Sequence, residues 1–194
     1  MPRGRMGEQM DEKILFELLP ELVEQLGVEH VKPLLDRISL HVLEEGQVMV
    51  RDQDPIDAFY LVLSGRLQLA IELSGHTIQL GCIRPGNWCG ELGYFSGVRH
   101  ASSTVTAGEE TTVARLSYAD FDALIAEDSI AVCRLTHAFI QMLIRRLQVT
   151  ANNPVIDPEG NLLLLGDLTV PLSELSRKPH GVIDFLKSLL GVHG

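Results

Sequence analysis

The feature that most constrains the fold is a run of short alternating segments between residues 39 and 116. Apolar residues alternate with polar ones within each segment, as at Leu67, Leu69 and Ile71. Glycine-containing turns separate the segments at intervals of roughly ten residues, at Gly46, Gly65, Gly75 and Gly86. About eight short strands at this spacing are typical of a sandwich or barrel, and a jelly roll fits the pattern. We therefore predict a mainly β fold with flanking α-helices.

Helical periodicity is found on both sides of the strand region. Apolar residues at three- and four-residue spacing predict one helix over 10–27 and a second short helix near 28–38. After the strands, Ser117 is a candidate N-cap, and a long helix runs from Ser129 to about Ala151. We predict three regions: an N-terminal helical region at 1–38, a β-barrel with the long helix at 39–151 and a C-terminal extension at 152–194.

The long helix carries two apolar faces. One follows the repeat of a coiled-coil seam and contains Ile130, Cys133, His137, Ile140, Ile144 and Leu147. The other contains Leu135, Phe139, Met142 and Leu143. A helix that is apolar on two sides is either deeply buried or part of an oligomer interface. One face can therefore lie on the barrel while the other meets a partner helix.

A glycine turn and a segment of small residues interrupt the strands at 89–105. Gly90 allows a turn that a side chain would obstruct, and backbone N–H groups at the start of the following short helix can form a nest for an anion. The Glu91 carboxylate can accept a hydrogen bond from a ribose hydroxyl, as acidic residues do in other nucleotide sites. Small residues at Ala101, Ser102 and Ser103 let the next strand approach a phosphate, to which serine hydroxyls can donate.

Gly90 to Phe95 resembles the Gly-Glu-Leu-Gly-x-Phe motif in the phosphate-binding cassette of bacterial cAMP receptor proteins, which belong to the cyclic-nucleotide-binding family. A second stretch, Arg145 to Thr150, is similar to the end of the long helix in those proteins. The resemblance implies a jelly-roll β-barrel with N-terminal helices and a long C-terminal helix. It also implies a homodimer through the helix at 129–151, and a cyclic nucleotide as regulatory ligand, cAMP more than cGMP.

The resemblance assigns ligand contacts to Gly90, Glu91, Leu92, Arg99, Ser102, Ser103 and Thr150. The phosphate would lie at the cassette, the ribose at Glu91 and the base near Thr150. Counting from Gly90, the family's phosphate-binding arginine falls on Ala101, and Arg99 lies two residues earlier. Loss of an arginine–phosphate contact costs roughly 1.5–3 kcal/mol. Either Arg99 reaches the phosphate from a shifted loop, or the site is weak, altered or empty.

Composition argues against several classes of protein. The net charge of −10 disfavours nucleic acid and anionic membranes as main partners. No apolar run approaches the roughly 20 residues of a membrane span, and the basic N-terminus is not followed by the apolar segment of a signal peptide. Cys82, Cys89 and Cys133 have no disulfide or metal-binding spacing, so we interpret them as buried, reduced thiols in a cytoplasmic protein.

Residues 152–194 depart from the family pattern, in which a helix-turn-helix DNA-binding domain follows the long helix. A recognition helix needs basic and amide side chains to reach phosphates and base edges, and the sequence shows none here. We predict that this extension does not bind nucleic acid. A short amphipathic stretch at 182–190 must bury its apolar side on the barrel, on a dimer mate or on a protein partner.

These features favour a ligand-binding regulatory module and not an enzyme. The alternative is an interaction module on the same fold, with a vestigial or altered nucleotide pocket; Ala101 and the extension without a recognition helix support it. A third hypothesis is a metal enzyme on a cupin-like barrel, which needs two nearby histidines and a carboxylate. His41, His76 and His100 lack that spacing, so we predict no metal.

Overall fold

The chain is described by a computed structural model that covers residues 20–73, 75–152, 155–156, 161–163 and 169–171. Its helices are α1 (Pro20–Leu26), α2 (Val28–Leu35), α3 (Glu91–Phe95), α4 (Tyr118–Glu127) and α5 (Ser129–Asn152). The strands before α5 are β1 (Ile38–Leu43), β2 (Val48–Val50), β3 (Ala58–Ser64), β4 (Leu67–Leu73), β5 (His76–Ile83), β6 (Trp88–Cys89), β7 (Thr104–Ala107) and β8 (Thr111–Ser117). Those after α5 are β9 (Val155–Ile156), β10 (Asn161–Leu163) and β11 (Thr169–Pro171).

Strands β1 to β8 form two antiparallel sheets of four strands each. The first sheet has the order β1-β8-β3-β6 and the second the order β2-β7-β4-β5, so the chain repeatedly crosses from one sheet to the other. This crossing is the pattern of a jelly roll, and the predicted fold class is confirmed. One detail is corrected: among the described strands no ladder joins the two sheets, so they form a sandwich and not a closed barrel.

The first hydrophobic core lies between the two sheets. The first sheet contributes Leu43, Val62, Cys89 and Val113, and the second sheet contributes Leu67, Ile83, Val105 and Ala107. Because strand side chains alternate between faces, the inner face of each sheet is set by the register of these residues. The alternation seen in the sequence thus fixes which side chains line the interior.

The second core lies between the outer face of the first sheet and the helices. Phe59 on β3 is fully buried at its centre. Its ring centroid lies 4.9 to 5.2 Å from those of Tyr94, Tyr118, Phe121 and Phe139. These rings come from α3, α4 and α5, and such contacts stabilise beyond the buried area alone. Phe59 therefore connects the strand beside the candidate site to three helices.

The helix boundaries agree with the sequence in most places. Gly27, with φ 82°, follows the end of α1 as the apolar pattern predicts, and residues 10–19 of the predicted first helix lie outside the described residues. The Asp120 N–H donates to the Ser117 hydroxyl at 3.0 Å, so Ser117 is the predicted N-cap. The predicted end of the second helix near Ile38 is wrong, because Ile38 already pairs with Leu116 in the sheet.

Polar contacts hold the N-terminal helices against the start of α5. His30 Nδ1 lies 2.6 Å from Asp128 Oδ2, and Arg134 donates to the Leu26 carbonyl oxygen at 2.6 Å. The Ala131 N–H and, next, His30 stabilise the Asp128 carboxylate and lower its pKa below the ordinary value. Together with the buried apolar residues of α1 and α2, these contacts pack the two helices against the rest of the second core, which contains Phe121 and Leu135.

The two faces of α5 differ in burial. Leu135, Phe139 and Met142 are buried in the second core, whereas Ile130 and Ile140 are about half exposed. The predicted coiled-coil seam is thus the exposed face of the helix.

The cysteine prediction is partly wrong, because only Cys89 is buried while Cys82 and Cys133 are exposed. Cys133 lies on the exposed seam of α5. The apolar pattern of that seam does not bury its residues within a single chain.

The chain forms two compact units, Met1–Leu143 and Ile144–Gly194, and their boundary falls within α5. In the second unit β9, β10 and β11 form a small antiparallel sheet in the order β11-β10-β9. The amphipathic stretch predicted at 182–190 lies outside the described residues, and the three predicted regions and the lack of nucleic-acid binding stay predictions. None of the helices described here is long and apolar enough to cross a membrane.

Candidate functional site

The turn at Gly90 opens the candidate site. Gly90 caps α3 with φ 93° and ψ −11°, in the left-handed region that favours glycine. A Cβ atom added at Gly90 would lie 2.3 Å from the Ala58 carbonyl oxygen on β3. The Tyr118 hydroxyl donates to the Gly90 carbonyl oxygen at 2.5 Å. Both the backbone angle and the close approach of β3 therefore exclude a side chain, which confirms the predicted turn.

Glu91 is the first residue of α3 and is only 2% exposed. Burial of a carboxylate is costly unless hydrogen bonds or charges compensate it, so its surroundings matter. Burial raises the pKa of the nearby Tyr118; the Arg99 guanidinium lowers this pKa and the Glu91 carboxylate raises it. Glu91, Tyr118 and Arg99 thus form one electrostatic cluster at this end of the sandwich.

Arg99 is held by aromatic rings. Its backbone is left-handed with φ 61°, and its guanidinium carbon lies 4.6 Å from the ring centroids of both Tyr94 and Tyr118. This is cation–π distance. Burial, followed by a hydrogen bond to Asp122, raises the pKa of Tyr94 to about 12. The structure therefore places Arg99 beside α3, stacked on two tyrosines, and its contact with a phosphate stays a prediction.

The segment after Arg99 pairs with the loop before β3. The Ala101 N–H donates to the Asp54 carbonyl oxygen at 2.9 Å, and the Gln53 N–H donates to the Ala101 carbonyl oxygen at 2.9 Å. Ala101 and Ser103 are buried and Ser102 is half-buried. The small residues therefore allow the backbone of the 53–54 loop to approach closely, and the predicted approach of this segment to a phosphate stays a prediction.

The predicted site residues divide into two groups. Gly90, Glu91, Leu92 and Arg99 lie together around α3, and Ser102 and Ser103 follow on the segment leading into β7. Thr150 lies on α5 in the second unit, and its side chain is outside the described residues, so its contact with a base stays a prediction.

Sequence reasoning missed the two tyrosines of this site. Tyr118 follows the Ser117 cap, and that pattern predicts only the start of a helix. Its hydroxyl partner, the Gly90 carbonyl oxygen, is 28 residues away in the chain. Tyr94 lies within the cassette motif at a position where the motif allows any residue. No local signal could have found either contact.

The site contains no evident metal centre. Within the part of the chain that the structure describes, no group of three or more histidine, cysteine, aspartate or glutamate side chains is placed to hold a metal ion.

Comparison with known proteins agrees with this geometry. A family model described as cyclic nucleotide-binding domain matches residues 40–128. The cAMP-activated global transcriptional regulator CRP of Salmonella typhimurium is 26% identical over 162 residues, which cover 79% of this chain and 73% of that relative.

Two solved structures share the fold. A cyclic nucleotide-binding domain from Methylobacillus flagellatus superposes with a TM-score of 0.64 at 17% identity, over 72% of this chain and 83% of its own. The catabolite activator protein of Thermus thermophilus gives a TM-score of 0.57 at 25% identity, over 68% of this chain and 62% of its own. The jelly roll, the Gly90 turn and these matches agree: residues 40–128 match the model of the cyclic nucleotide-binding domain, and the described strands have the fold of such a domain.

Proposed function

We propose that this chain is a regulatory module that binds a cyclic nucleotide, cAMP in preference to cGMP, and acts without catalysis in the cytoplasm. The observation that carries the proposal is the left-handed Gly90 turn followed by the buried Glu91, within a cyclic nucleotide-binding domain. The phosphate lies at Gly90, Leu92, Ser102 and Ser103, with Arg99 as the cassette's own cation. The ribose hydroxyl donates to Glu91, and the base lies against α5 near Thr150.

The contacts between the cassette and α5 support a signalling role. The Trp88 N–H donates to the Met142 sulfur at 3.4 Å, directly before the Gly90 turn. The rings of Phe95 and Phe139 have centroids 5.9 Å apart. A ligand that rearranges α3 must therefore act on the first part of α5. Because a ligand shifts an equilibrium only through differential affinity, the mechanism requires two positions of this helix.

The exposed seam of α5 supports a homodimer. Ile130 and Ile140 are 53% and 51% exposed on the face opposite the second core. A row of large apolar side chains at coiled-coil spacing is stabilised when it packs against a copy of itself. We infer that the copies pair through this seam and that repositioning of α5 is transmitted to it.

The test is calorimetric titration of the full chain with cAMP and with cGMP, while the fluorescence of Trp88 is followed in parallel. We expect saturable binding, tighter for cAMP. Glu91→Ala and Arg99→Ala should each weaken binding about tenfold or more. Glu45→Ala, in the exposed turn after β1, removes the same charge elsewhere and should leave affinity unchanged. Equal affinity in all variants would refute the site.

One observation favours a second function. Ala101, at the position of the family's phosphate-binding arginine, is buried and offers no charge. If neither nucleotide produces heat up to millimolar concentration, the pocket is vestigial or altered. The exposed seam of α5 would then be the functional surface, as in the interaction module that the sequence left open.

A further inference from the structure

A row of side chains crosses the inner face of the first sheet. Arg115 on β8 lies directly opposite Ser39 on β1 and Tyr60 on β3, and Tyr60 lies directly opposite Cys89 on β6. Directly opposed residues of antiparallel strands project to the same face. Because Cys89 belongs to the core between the two sheets, Arg115 also faces the interior of the sandwich.

This row ends at the candidate site. Cys89 directly precedes Gly90, which caps α3. Since neighbouring strands are about 4.8 Å apart, two strand spacings, or roughly 10 Å, separate the Cα atoms of Arg115 and Cys89. Tyr60 lies between them. A long side chain at position 115 that points along the row is therefore directed toward the cassette.

Arg115 is an unusual residue for this place. No other lysine or arginine occurs in any of the eleven strands that the structure describes. Its side chain is only 26% exposed. A cation that is largely removed from water needs a partner. Arg115 Nη2 lies 2.9 Å from Asp57 Oδ1, and Tyr60 is a further hydrogen-bonding partner.

The electrostatics keep Arg115 charged. Burial opposes the charge, but the hydrogen bonds to Asp57 and Tyr60 outweigh it and raise the pKa of Arg115 above its ordinary value. Burial and then the charge of Arg115 lower the pKa of His41, two residues along β1 from Ser39. The interior at this end thus holds one arginine cation beside a neutral histidine, a local positive charge in a chain of net charge −10.

The carboxylate that pairs with Arg115 is readily replaced. The Asp57 side chain is 80% exposed, so it stays hydrated and little free energy is lost when it leaves the guanidinium. Asp57 follows Ile56, whose N–H donates to the Arg99 carbonyl oxygen at 3.0 Å. The pair therefore lies beside the segment that carries Ala101. An arginine fork matches two oxygens of a phosphate as well as those of a carboxylate.

We propose that Arg115 binds the cyclic phosphate from the interior of the sandwich, and that the phosphate displaces Asp57 from the guanidinium. In this way Arg115 supplies the charge that Ala101 lacks. The inference rests on the proposed function, since it identifies a phosphate-binding cation of the same site. Asp57 occupies the fork when no nucleotide is bound and competes with the phosphate for it.

The test measures the cAMP and cGMP dissociation constants of Arg115→Gln and Asp57→Asn by calorimetry. Loss of a charge-assisted contact should weaken binding of the preferred nucleotide about ten- to a hundredfold in Arg115→Gln. Loss of an exposed competitor should leave Asp57→Asn equal to the natural chain or up to about fivefold tighter. Weaker binding in Arg115→Gln without weaker binding in Asp57→Asn separates ligand binding from a merely structural ion pair, whose two partners would matter equally.

Arg84→Gln, in the exposed turn between β5 and β6, is the matched control for charge. The urea midpoint of Arg115→Gln checks that this variant folds. Asp57→Asn keeps the arginine, so it tests the inference even if Arg115→Gln does not fold. If Arg115→Gln binds as tightly as Arg84→Gln, this inference is overturned and the proposed function is not. The same holds if Asp57→Asn binds as weakly as Arg115→Gln. If the natural chain binds neither nucleotide, the proposed function fails, and this inference with it.

Discussion

Replacement of Gly90 by alanine tests the turn on which the site depends. At φ 93°, the left-handed backbone costs a residue with a side chain roughly 1–2 kcal/mol. The added Cβ would also lie 2.3 Å from the Ala58 carbonyl oxygen, which is backbone and cannot rotate away. Overpacking of this kind typically costs a further ~1–3 kcal/mol. We therefore expect Gly90→Ala to lower the free energy of unfolding by about 2–5 kcal/mol, the sum of these ranges.

Gly97, just after the other end of α3, provides a matched control. Its φ is 74°, but a Cβ atom added there would meet nothing within 4 Å. Gly97→Ala should therefore lose only the backbone contribution of about 1–2 kcal/mol. The two variants share the left-handed strain, so the difference between them measures the contact with Ala58.

The assay is urea denaturation followed by tryptophan fluorescence. Trp88 is the only tryptophan of the chain, and it is 3% exposed and two residues before Gly90. A shift of the midpoint at constant m-value reports stability alone. Equal losses in Gly90→Ala and Gly97→Ala would refute the reasoning, because the close approach of β3 would then have no energetic consequence.

Further predictions follow from the cores, the titrating groups and α5. Phe59→Ala should lower the free energy of unfolding by about 3–5 kcal/mol in urea titration, and Phe95→Ala, at 45% exposure, by clearly less; equal losses would contradict the role of the aromatic cluster. Burial and then the charge of Arg115 lower the pKa of His41 below its ordinary value of 6.5. The stability that neutral His41 contributes is therefore complete above pH 6.5 and is lost as the pH falls through the pKa of the folded state. His41→Asn should therefore flatten the fall in urea midpoint from about pH 7 to about pH 5, and an unchanged slope would exclude this residue as its source. Ile140→Asp should convert a dimer into a monomer in light scattering without loss of monomer stability, and a dimer that persists would exclude the α5 seam.

The jelly roll could be predicted because its information is local. Alternation of apolar and polar residues in segments such as Leu67–Leu73 follows directly from strand geometry, and the turns need glycine for their backbone angles. The boundary of the second helix could not be predicted in the same way. Ile38 belongs to β1 because Leu116, far along the chain, provides its pairing partner. Tertiary pairing outweighs a helical pattern of this length.

Local sequence and tertiary packing also contribute differently to the two faces of α5. The sequence shows that both faces are apolar, but the aromatic cluster around Phe59 decides that Phe139 is the buried side and Ile140 the exposed one. Cys133 is exposed for the same reason, although a free cysteine is usually a small buried hydrophobic residue. A periodic pattern identifies a face; only the packing partner determines which face is covered.

Within the site, the amino-acid sequence is sufficient to predict the Gly90 turn and the position of Glu91, and it shows alanine at position 101 in place of an arginine. These follow from residue identity at fixed spacing within one short segment. The stacking of Arg99 on Tyr94 and Tyr118, and the interior position of Arg115, could be seen only once the chain was folded. Tyr118 lies on α4, away from Arg99 in the chain, so only the fold brings the two together. The register of the first sheet, not any local pattern, places Arg115 beside Tyr60 and in one row with Cys89.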